Sequence, residues 1–369
     1  MKIIKTLVLS DRIHTRVQPE IYYAFESASK DSNIPGGVKM LYSLFNPVMA
    51  KYQYPNAFFD RQLEFMKLLD NKASGIIIEI WKNLKVKEKL FQAILNYMAE
   101  NSDSILGKIY NELEKFIVEY LFLIIESTAR TVIHPFYYDK DHTEIECDFA
   151  TEYDLIDTLI GLFFIDISIK HNIPMFATCH GAQLAYLHVS GGMKRLANPY
   201  YFLPENYYYP KRNVHGGPVE IWQFDEDLLN ARNIRDGSKV SVVRTPLPDL
   251  FKSGSKKEEK YINRDFNQTL VMTAPVPENI DIFLYHPLSM FAAEIEKYEV
   301  KDKILEYPEV TEDKIEKFKN FLKSEVIVDS FTYKCIYAFQ HHPHYDYHYE
   351  SNSEIFKYML RKITPKLNT

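Results

Sequence analysis

The chain has 369 residues, a formal net charge of −6 and 46% hydrophobic residues. This length fits one large domain with insertions or two ordinary domains, and the apolar content is ample for a core. The acidic balance gives no reason to expect nucleic acid or an anionic membrane surface as a partner.

Strands and helices alternate along the chain, which predicts an α/β fold with a mostly parallel sheet flanked by helices. The predicted strands cover residues 3–9, 75–80, 118–125 and 173–177. The predicted helices cover 20–30, 85–99, 104–115 and 153–170, and a further one begins at Ala182 and ends at Gly191. No repeat or clean linker divides the chain, so we expect a single domain over 1–369 with insertions at about 34–115 and 193–270.

The stretch 173–183 is the most informative in the sequence. An apolar run at 173–177 leads to Cys179, and Gly181 and good helix formers follow it. Strand, sharp turn and helix together predict a nucleophile elbow, which presents the thiol above the sheet at a helix N-terminus. A glycine is expected at this turn because the chain segments come too close for a Cβ. A buried structural cysteine at a strand end is the alternative interpretation.

A second segment, Ala338-Phe-Gln-His-His-Pro-His344, lies far down the chain. Together with the elbow it resembles the paired motifs of class I glutamine amidotransferases. The stretches 122–137 and 151–154 resemble the γ-glutamyl hydrolase (peptidase C26-like) branch of that family, in which a strand, an oxyanion loop and a Pro-x-x-Tyr sequence precede the elbow. The resemblance covers 120–188 well and 281–344 loosely, and it implies a flavodoxin-like three-layer domain.

The resemblance also implies catalytic roles. Cys179 would attack the carbonyl of a γ-glutamyl-type amide and form a thioester, and His342 would take the thiol proton and pass it to the leaving amine. The backbone N–H of His180 would supply one oxyanion donor, and the loop at Ser127 and Thr128 would supply a second.

Substrate and partners follow from the same resemblance. Gly181 and Gln183 would contribute to binding a small-molecule or peptide γ-glutamyl substrate. No cofactor is implied, and a synthetase or an acceptor protein is a further candidate partner, because the sequence has no Gly-x-x-x-x-Gly-Lys-Ser/Thr motif for a nucleotide of its own.

Two positions depart from the family pattern. The family's acid, two residues after the catalytic histidine, is here His344, and Asp346 or Glu350 is an alternative for that role. The loop 126–128 contains no glycine, whereas the family's oxyanion loop normally does. A protein that kept the fold as an idle scaffold, without catalysis, is therefore a competing hypothesis.

Three further hypotheses remain open at this stage. His180 would be the base in an enzyme of the intracellular-protease kind, which has a histidine directly after the cysteine. A glutaminase subunit would pass ammonia to a separate synthetase chain. A zinc or iron site would use alternating side chains on one strand face, namely His342, His344, Asp346 and His348.

The cysteines and the N-terminus bear on the cellular compartment. Cys147, Cys179 and Cys335 are odd in number and widely spaced, so no disulfide framework is implied. The first apolar run is interrupted by Lys5 and lacks a small-residue cleavage site, and no segment is long and apolar enough for a bilayer. We expect a cytoplasmic protein, and export by a route that needs no signal peptide stays an alternative.

Overall fold

The computed structural model describes residues 5–9, 19–31, 40–43, 72–85, 89–125, 133–137, 152–190, 219–224, 230–233, 239–241, 258–263, 270–273, 279–285, 325–340, 342–344 and 355–361. The chain divides into two compact units. The first contains residues 1–195, 333–338 and 359–369, and the second contains 196–332 and 339–358. The single domain with insertions at about 34–115 and 193–270 stays a prediction.

The described helices and strands are numbered in chain order. The helices are α1 (Pro19–Asp31), α2 (Lys72–Asn83), α3 (Leu90–Glu100), α4 (Ile105–Ile117), α5 (Glu152–Lys170), α6 (His180–Ser190) and α7 (355–361). The strands are β1 (Lys5–Leu9), β2 (Met40–Ser43), β3 (Phe122–Ile125), β4 (Met175–Thr178), β5 (Val219–Phe224), β6 (Asn230–Asn233), β7 (Lys239–Ser241), β8 (Glu258–Asn263), β9 (Leu270–Thr273), β10 (Ile280–Tyr285), β11 (Glu325–Tyr333) and β12 (Ile336–Phe339).

The sheet of the first unit has the strand order β2-β1-β3-β4-β12 among the described residues. β1 is parallel to both β2 and β3, and β3 is parallel to β4. Every residue of β3 and β4 is buried, as expected of central parallel strands that are covered on both faces. β12 joins β4 through the Met175 N–H, which donates to the Cys335 carbonyl oxygen at 3.0 Å. The predicted mostly parallel sheet is confirmed.

Side-chain contacts show which helices cover which face. Phe25 of α1 packs edge-on against Phe122 and Phe176, with ring centroids 5.0 and 5.8 Å away. Phe176 is in register with Ile124, so Phe122 and Phe176 point to the same face of the sheet. Gly181 of α6 lies against Ile125, whose side chain points to the opposite face.

Helix α5 completes the layer that contains α6. Gly161 of α5 lies directly against the Leu184 side chain of α6, where the glycine allows close approach of the two helices. With α1 on the other face of the sheet, the first unit is a three-layer α/β structure, as predicted.

The second unit contains antiparallel strand pairs. β9 is antiparallel to β11, and β10 is a further neighbour of β11. The four strands β7-β6-β5-β8 form a separate antiparallel sheet.

One sequence-based element was wrong. The stretch 75–80 was predicted as a strand because of its isoleucine run, but it lies within helix α2. Ala73 and Ile77 are buried, whereas the exposed positions recur at the helical spacing of three and four, namely Gly75, Glu79, Lys82 and Asn83. Packing of this one face against the unit outweighs the low helix propensity of β-branched residues.

The other predicted elements of this region are confirmed, with shifted ends. Ser104 caps α4, since its Oγ accepts a hydrogen bond from the Gly107 N–H at 3.2 Å. β3 begins at Phe122 rather than at residue 118, because 118–121 form the turn that ends α4. Gly191, the predicted end of the elbow helix, lies outside the described residues. No helix in the described part of the chain is long and apolar enough to cross a lipid bilayer.

Candidate active site

The strand, sharp turn and helix predicted around Cys179 are present in the first unit. β4 ends at Thr178, α6 begins at His180, and Cys179 alone forms the junction. Cys179 has a backbone φ of 48°, the left-handed conformation that costs a residue with a Cβ about 1–2 kcal/mol. Its carbonyl oxygen accepts the first hydrogen bond of the helix, from the Gln183 N–H at 3.1 Å. A strained residue between a buried strand and a helix is the arrangement that exposes the nucleophile in α/β hydrolases.

The thiol lies where a negative charge is favoured. Cys179 is half-buried and precedes the first turn of α6, so the positive end of the helix dipole acts on its sulfur. Helix N-termini stabilise the thiolate, which is the reactive form of cysteine. This position suits a nucleophile better than the alternative of a fully buried structural cysteine.

Gly181 is required by the close approach of α6 to the sheet. A Cβ at this position would come within 2.9 Å of Ile125 Cγ2 and within 3.0 Å of the Ile125 carbonyl oxygen. The sequence-based reason for a glycine here is therefore confirmed, and the obstructing residue belongs to the neighbouring strand β3. Any larger residue would push the helix, and with it the Cys179 junction, away from the sheet.

The first turn of α6 also contains the predicted oxyanion donor and a predicted substrate contact. His180 is the first residue of the helix, and the N–H groups of a first helical turn have no acceptor within the helix. Gln183 is buried in the same turn. The second predicted oxyanion donor, from Ser127 and Thr128, lies outside the described residues.

The predicted base and its neighbour lie in the second unit. His342 is 4% exposed, and His344 is fully buried. Their ring centroids are 5.2 Å apart and the planes are inclined by 75°, an edge-to-face contact. Gln340, directly after β12, is fully buried as well. Pairing of Cys179 with His342 stays a prediction.

The two other candidates for the triad acid, Asp346 and Glu350, lie outside the described residues, as does His348 of the alternative metal site. In the part of the chain that the structure describes, no group of three potential metal ligands comes together.

Seven chains of solved structures match this chain, and two of them are named below. No family model matches the chain, and no curated protein matches it. A GMP synthase subunit from Thermoplasma acidophilum is 10% identical, with 100% of this chain and 98% of that chain covered and a TM-score of 0.37. The glutaminase domain of CTPS from Trypanosoma brucei, with bound acivicin, is 9% identical, with coverage of 97% and 94% and a TM-score of 0.34. Both TM-scores are below 0.5, so neither match assigns a role to Cys179 or His342.

A polar cluster behind the elbow was not predicted. The Tyr110 hydroxyl donates to Asp166 Oδ2 at 2.7 Å, and His188 Nε2 lies 3.1 Å from Asp166 Oδ1. The three residues belong to α4, α5 and α6, and they are separated by 56 and 22 positions in sequence, so no local spacing marks them. The cluster joins α5, which precedes β4, to α6, which begins directly after Cys179.

Electrostatics define the protonation of this cluster. Burial alone would raise the pKa of the Asp166 carboxyl, but hydrogen bonds from His188 and Tyr110 and the nearby Lys170 outweigh it and lower the pKa below the ordinary value. Burial and the Asp166 carboxylate together raise the pKa of Tyr110 far above the usual value for a phenol. Asp166 is therefore an acceptor at neutral pH, and Tyr110 and His188 Nε2 are the donors.

The 3₁₀ turn Pro135–Tyr137 lies after the predicted oxyanion loop. The His134 backbone N–H donates to Thr158 Oγ1 of α5 at 3.1 Å, which fixes the turn near the N-terminal half of that helix. Phe136 stacks on Trp81 of α2, with centroids 4.1 Å apart. The half-buried aromatic pair lies on the helix layer that also contains α6.

Proposed function

We propose that this chain is a cysteine-dependent enzyme of the amidotransferase type, which cleaves a γ-glutamyl-type amide through a thioester on Cys179. The observation that carries the proposal is the strained Cys179 junction between β4 and α6, with φ of 48°. Strain of this kind persists where surrounding structure enforces it, and it is concentrated at functional sites. A purely structural cysteine would gain nothing from this conformation.

The proposed reaction uses His342 as the base. Cys179 Sγ attacks the amide carbonyl carbon while the thiol proton passes to His342. The tetrahedral intermediate collapses with rupture of the C–N bond, and His342 returns the proton to the leaving nitrogen, which departs as ammonia or an amine. Attack by water or another acceptor on the thioester then releases the γ-acyl group and regenerates the thiol.

The first turn of α6 supports the developing oxyanion. The His180 N–H lies directly after the nucleophile, where donors of this kind stabilise a negatively charged carbonyl oxygen. In this proposal Ser127 and Thr128 provide the second donor, and Gly181 and Gln183 line the substrate side of the helix turn.

The identity of the leaving group separates two versions of this function. A γ-glutamyl hydrolase would release an amine and pass the acyl group to water. A glutaminase subunit would release ammonia from glutamine and deliver it to a synthetase chain. Both use the same thioester, so the substrate screen must contain free glutamine and N-substituted γ-glutamyl amides.

The first test is covalent labelling by a diazo-ketone analogue of glutamine, followed by peptide mapping with mass spectrometry. We expect selective labelling of Cys179 that is lost in Cys179→Ala and strongly slowed in His342→Ala, while His180→Ala keeps most of it. Cys335 serves as the internal control, because it is a buried thiol in the same molecule.

The other outcomes discriminate among the alternatives. Slower labelling of His180→Ala than of His342→Ala would favour His180 as the base, as in enzymes of the intracellular-protease kind. Absence of labelling, with Cys179 still open to a small alkylating agent, would contradict a glutamine-shaped site and favour the idle scaffold. Ammonia release from glutamine that increases when a synthetase chain co-purifies would favour the glutaminase subunit.

A further inference from the structure

We infer that Trp81 and Phe136 form a subsite for a planar aromatic group on the nitrogen of the scissile amide, so that the substrate is an N-aryl or N-arylalkyl γ-glutamyl amide. The inference rests on the proposed function, because it names the substrate class of the same site. All the residues that support it belong to the first unit.

Trp81, Phe136 and His134 form a cluster of three aromatic rings. The Trp81 and Phe136 rings stack, with centroids 4.1 Å apart and planes inclined by 11°. The His134 ring meets Phe136 edge-on, with centroids 4.5 Å apart. All three residues are half-buried, whereas the largest aromatic side chains of the core are fully buried. Because each stacked ring covers one face of the other, the accessible part of the pair lies on the outer faces and edges of the rings.

Hydrogen bonds within the turn hold the ring cluster in place. The Tyr137 N–H donates to the His134 carbonyl oxygen at 3.0 Å, and the Phe136 N–H donates to His134 Nδ1 at 3.3 Å. Since Nδ1 accepts a hydrogen bond, the imidazole is neutral and carries its proton on Nε2. Trp81 follows the buried Ile77 by four residues, on the face of α2 that packs against the unit. The three rings are therefore uncharged and preorganised, which lowers the entropic cost of binding a ligand.

The register of α5 against α6 locates the ring cluster relative to Cys179. Gly161 of α5 lies against Leu184 of α6, and Asp166 of α5 lies against His188 of α6. From the first pair to the second, α5 advances by five residues and α6 by four, so the two helices run parallel and nearly in step. Because α6 begins directly after β4, the N-terminal ends of both helices lie at the carboxyl edge of the sheet, where ligands of such folds bind.

Thr158 connects the ring cluster to the level of the elbow. It precedes Gly161 by three residues, so it lies on the side of α5 that faces α6 and is level with Gly181. The His134 N–H donates to Thr158 Oγ1 at 3.1 Å. The axes of packed helices are about 8–10 Å apart, so the turn that carries the rings lies at roughly that distance from the start of α6. An extended molecule of about three residues spans it, which is within reach of a substrate held at Cys179.

The chemistry of the rings selects the ligand. Aromatic faces bind planar rings by offset stacking, which adds about 3- to 10-fold in affinity beyond the burial of area. In the proposed reaction the acyl part is an aliphatic γ-glutamyl chain, and the substituent on the amide nitrogen is the part that varies. A planar substituent gains from the stacked pair, whereas the ammonia released by a glutaminase has no group for the rings to contact. The ring cluster therefore favours the version of the function that acts on N-substituted amides.

Binding of two matched amides tests the inference without turnover. γ-Glutamyl anilide and γ-glutamyl cyclohexylamide both carry a six-membered carbon ring, but only the ring of the anilide is planar and aromatic. In Cys179→Ala, isothermal titration calorimetry should give a dissociation constant about 3- to 10-fold lower for the anilide than for the cyclohexylamide. Adding Trp81→Leu should reduce this ratio to about 1, and Trp81→Phe, which keeps an aromatic ring, should retain most of it.

Two further variants complete the binding experiment, with folding checked by circular dichroism. Phe136→Leu removes the other stacked ring and should also reduce the ratio. Tyr23→Leu removes an aromatic side chain that is 46% exposed on α1, on the opposite face of the sheet, and should leave the ratio unchanged. A ratio of about 1 before any ring is removed, or a ratio that Trp81→Leu and Phe136→Leu leave unchanged, would overturn the inference. An equal loss of affinity for both amides would overturn it too, because the rings would then contact the γ-glutamyl part.

The fluorescence of Trp81 provides a local measurement. The chain has two tryptophans, Trp81 and Trp222, so Trp222→Phe leaves Trp81 as the emitter. Saturation with γ-glutamyl anilide should change the intensity or wavelength of the Trp81 emission, and saturation with the cyclohexylamide should change it less. Unchanged emission on binding of the anilide would contradict contact between the ligand ring and Trp81.

The two proposals fail in different ways. If the diazo-ketone analogue labels Cys179 but the anilide has no preference that depends on Trp81, the proposed function stands and the subsite is wrong. If the anilide binds with a preference that Trp81→Leu abolishes but Cys179 is not labelled, the subsite stands and the proposed reaction is wrong.

Discussion

Gly181 of the elbow helix lies so close to Ile125 of the neighbouring strand that a Cβ on the glycine would come within 2.9 Å of Ile125 Cγ2. The carbonyl oxygen of Ile125 is equally an obstacle, at 3.0 Å, and a backbone atom of a central strand cannot move aside cheaply. This contact fixes the height of α6 above the sheet and thereby the position of the Cys179 junction.

Gly181→Ala is expected to destabilise the protein by about 1–3 kcal/mol, the usual cost of overpacking in a core. The matched control is Gly75→Ala in α2, where the added methyl group meets no atom within 4 Å. That variant should gain up to about 1 kcal/mol from helix propensity. Urea unfolding of the two variants checks this, and equal stability changes would contradict the close-approach argument.

The strain at Cys179 predicts a stability difference between two variants that lack the thiol. Glycine adopts a φ of 48° at no steric cost, whereas alanine keeps the penalty of a Cβ. Cys179→Gly should therefore be more stable than Cys179→Ala by about 1 kcal/mol, although glycine loses more entropy on folding. Equilibrium unfolding in denaturant measures the difference. A more stable alanine variant would show that the junction is not strained.

Two thiols of the first unit should differ in reactivity. Cys179 is half-buried at a helix N-terminus, whereas Cys335 is 9% exposed with its Sγ 3.5 Å from Ser168 Oγ. Iodoacetamide should modify Cys179 at least about tenfold faster than Cys335 in the folded protein, because both exposure and the helix dipole favour its thiolate. The rates should become equal in denaturant. Equal rates before unfolding would contradict this environment for Cys179.

Asp166→Asn should lower the stability at neutral pH by about 1–3 kcal/mol, since Tyr110 and His188 lose a charged acceptor. The pKa of Asp166 is lower in the folded than in the unfolded state. Its stabilising contribution is thus present above the unfolded value of about 3.9 and is lost as the pH falls through the lower folded value.

The stability difference between wild type and Asp166→Asn should accordingly be constant from about pH 5 to 7 and shrink below about pH 4. Denaturant titrations across this range measure it. Glu112→Gln is the control, because it removes an exposed carboxylate that pairs with Lys115 and should have little effect. A difference that grows on acidification would contradict the lowered pKa.

Much of the first unit could be predicted from the sequence. The apolar runs of β3 and β4 have the length of strands, and the amphipathic or buried segments around them are long enough only for helices. The Cys179 elbow was predictable because strand, nucleophile, glycine and helix formers are contiguous. All the information needed for that local structure lies within about a dozen residues.

The remaining features depend on contacts between distant residues. Helix α2 was mistaken for a strand because the six residues 75–80, four of them isoleucine, are too short a window to show the exposed spacing of Gly75, Glu79 and Lys82. The hydrogen bonds of Tyr110 and His188 to Asp166 could not be predicted either, because three helices must pack before Asp166 lies between the two side chains. The sequence shows that His344 stands where the family motif has an acid. It could not show that the rings of His342 and His344 are buried, nor how they are oriented.

The eight residues of α6 from His180 to Leu187 are all buried, so the helix that follows Cys179 has no solvent-facing side along this length. Almost every substitution in it would therefore cost folding stability. The residues that keep this part of the protein folded are thus the same residues that hold Cys179 in place.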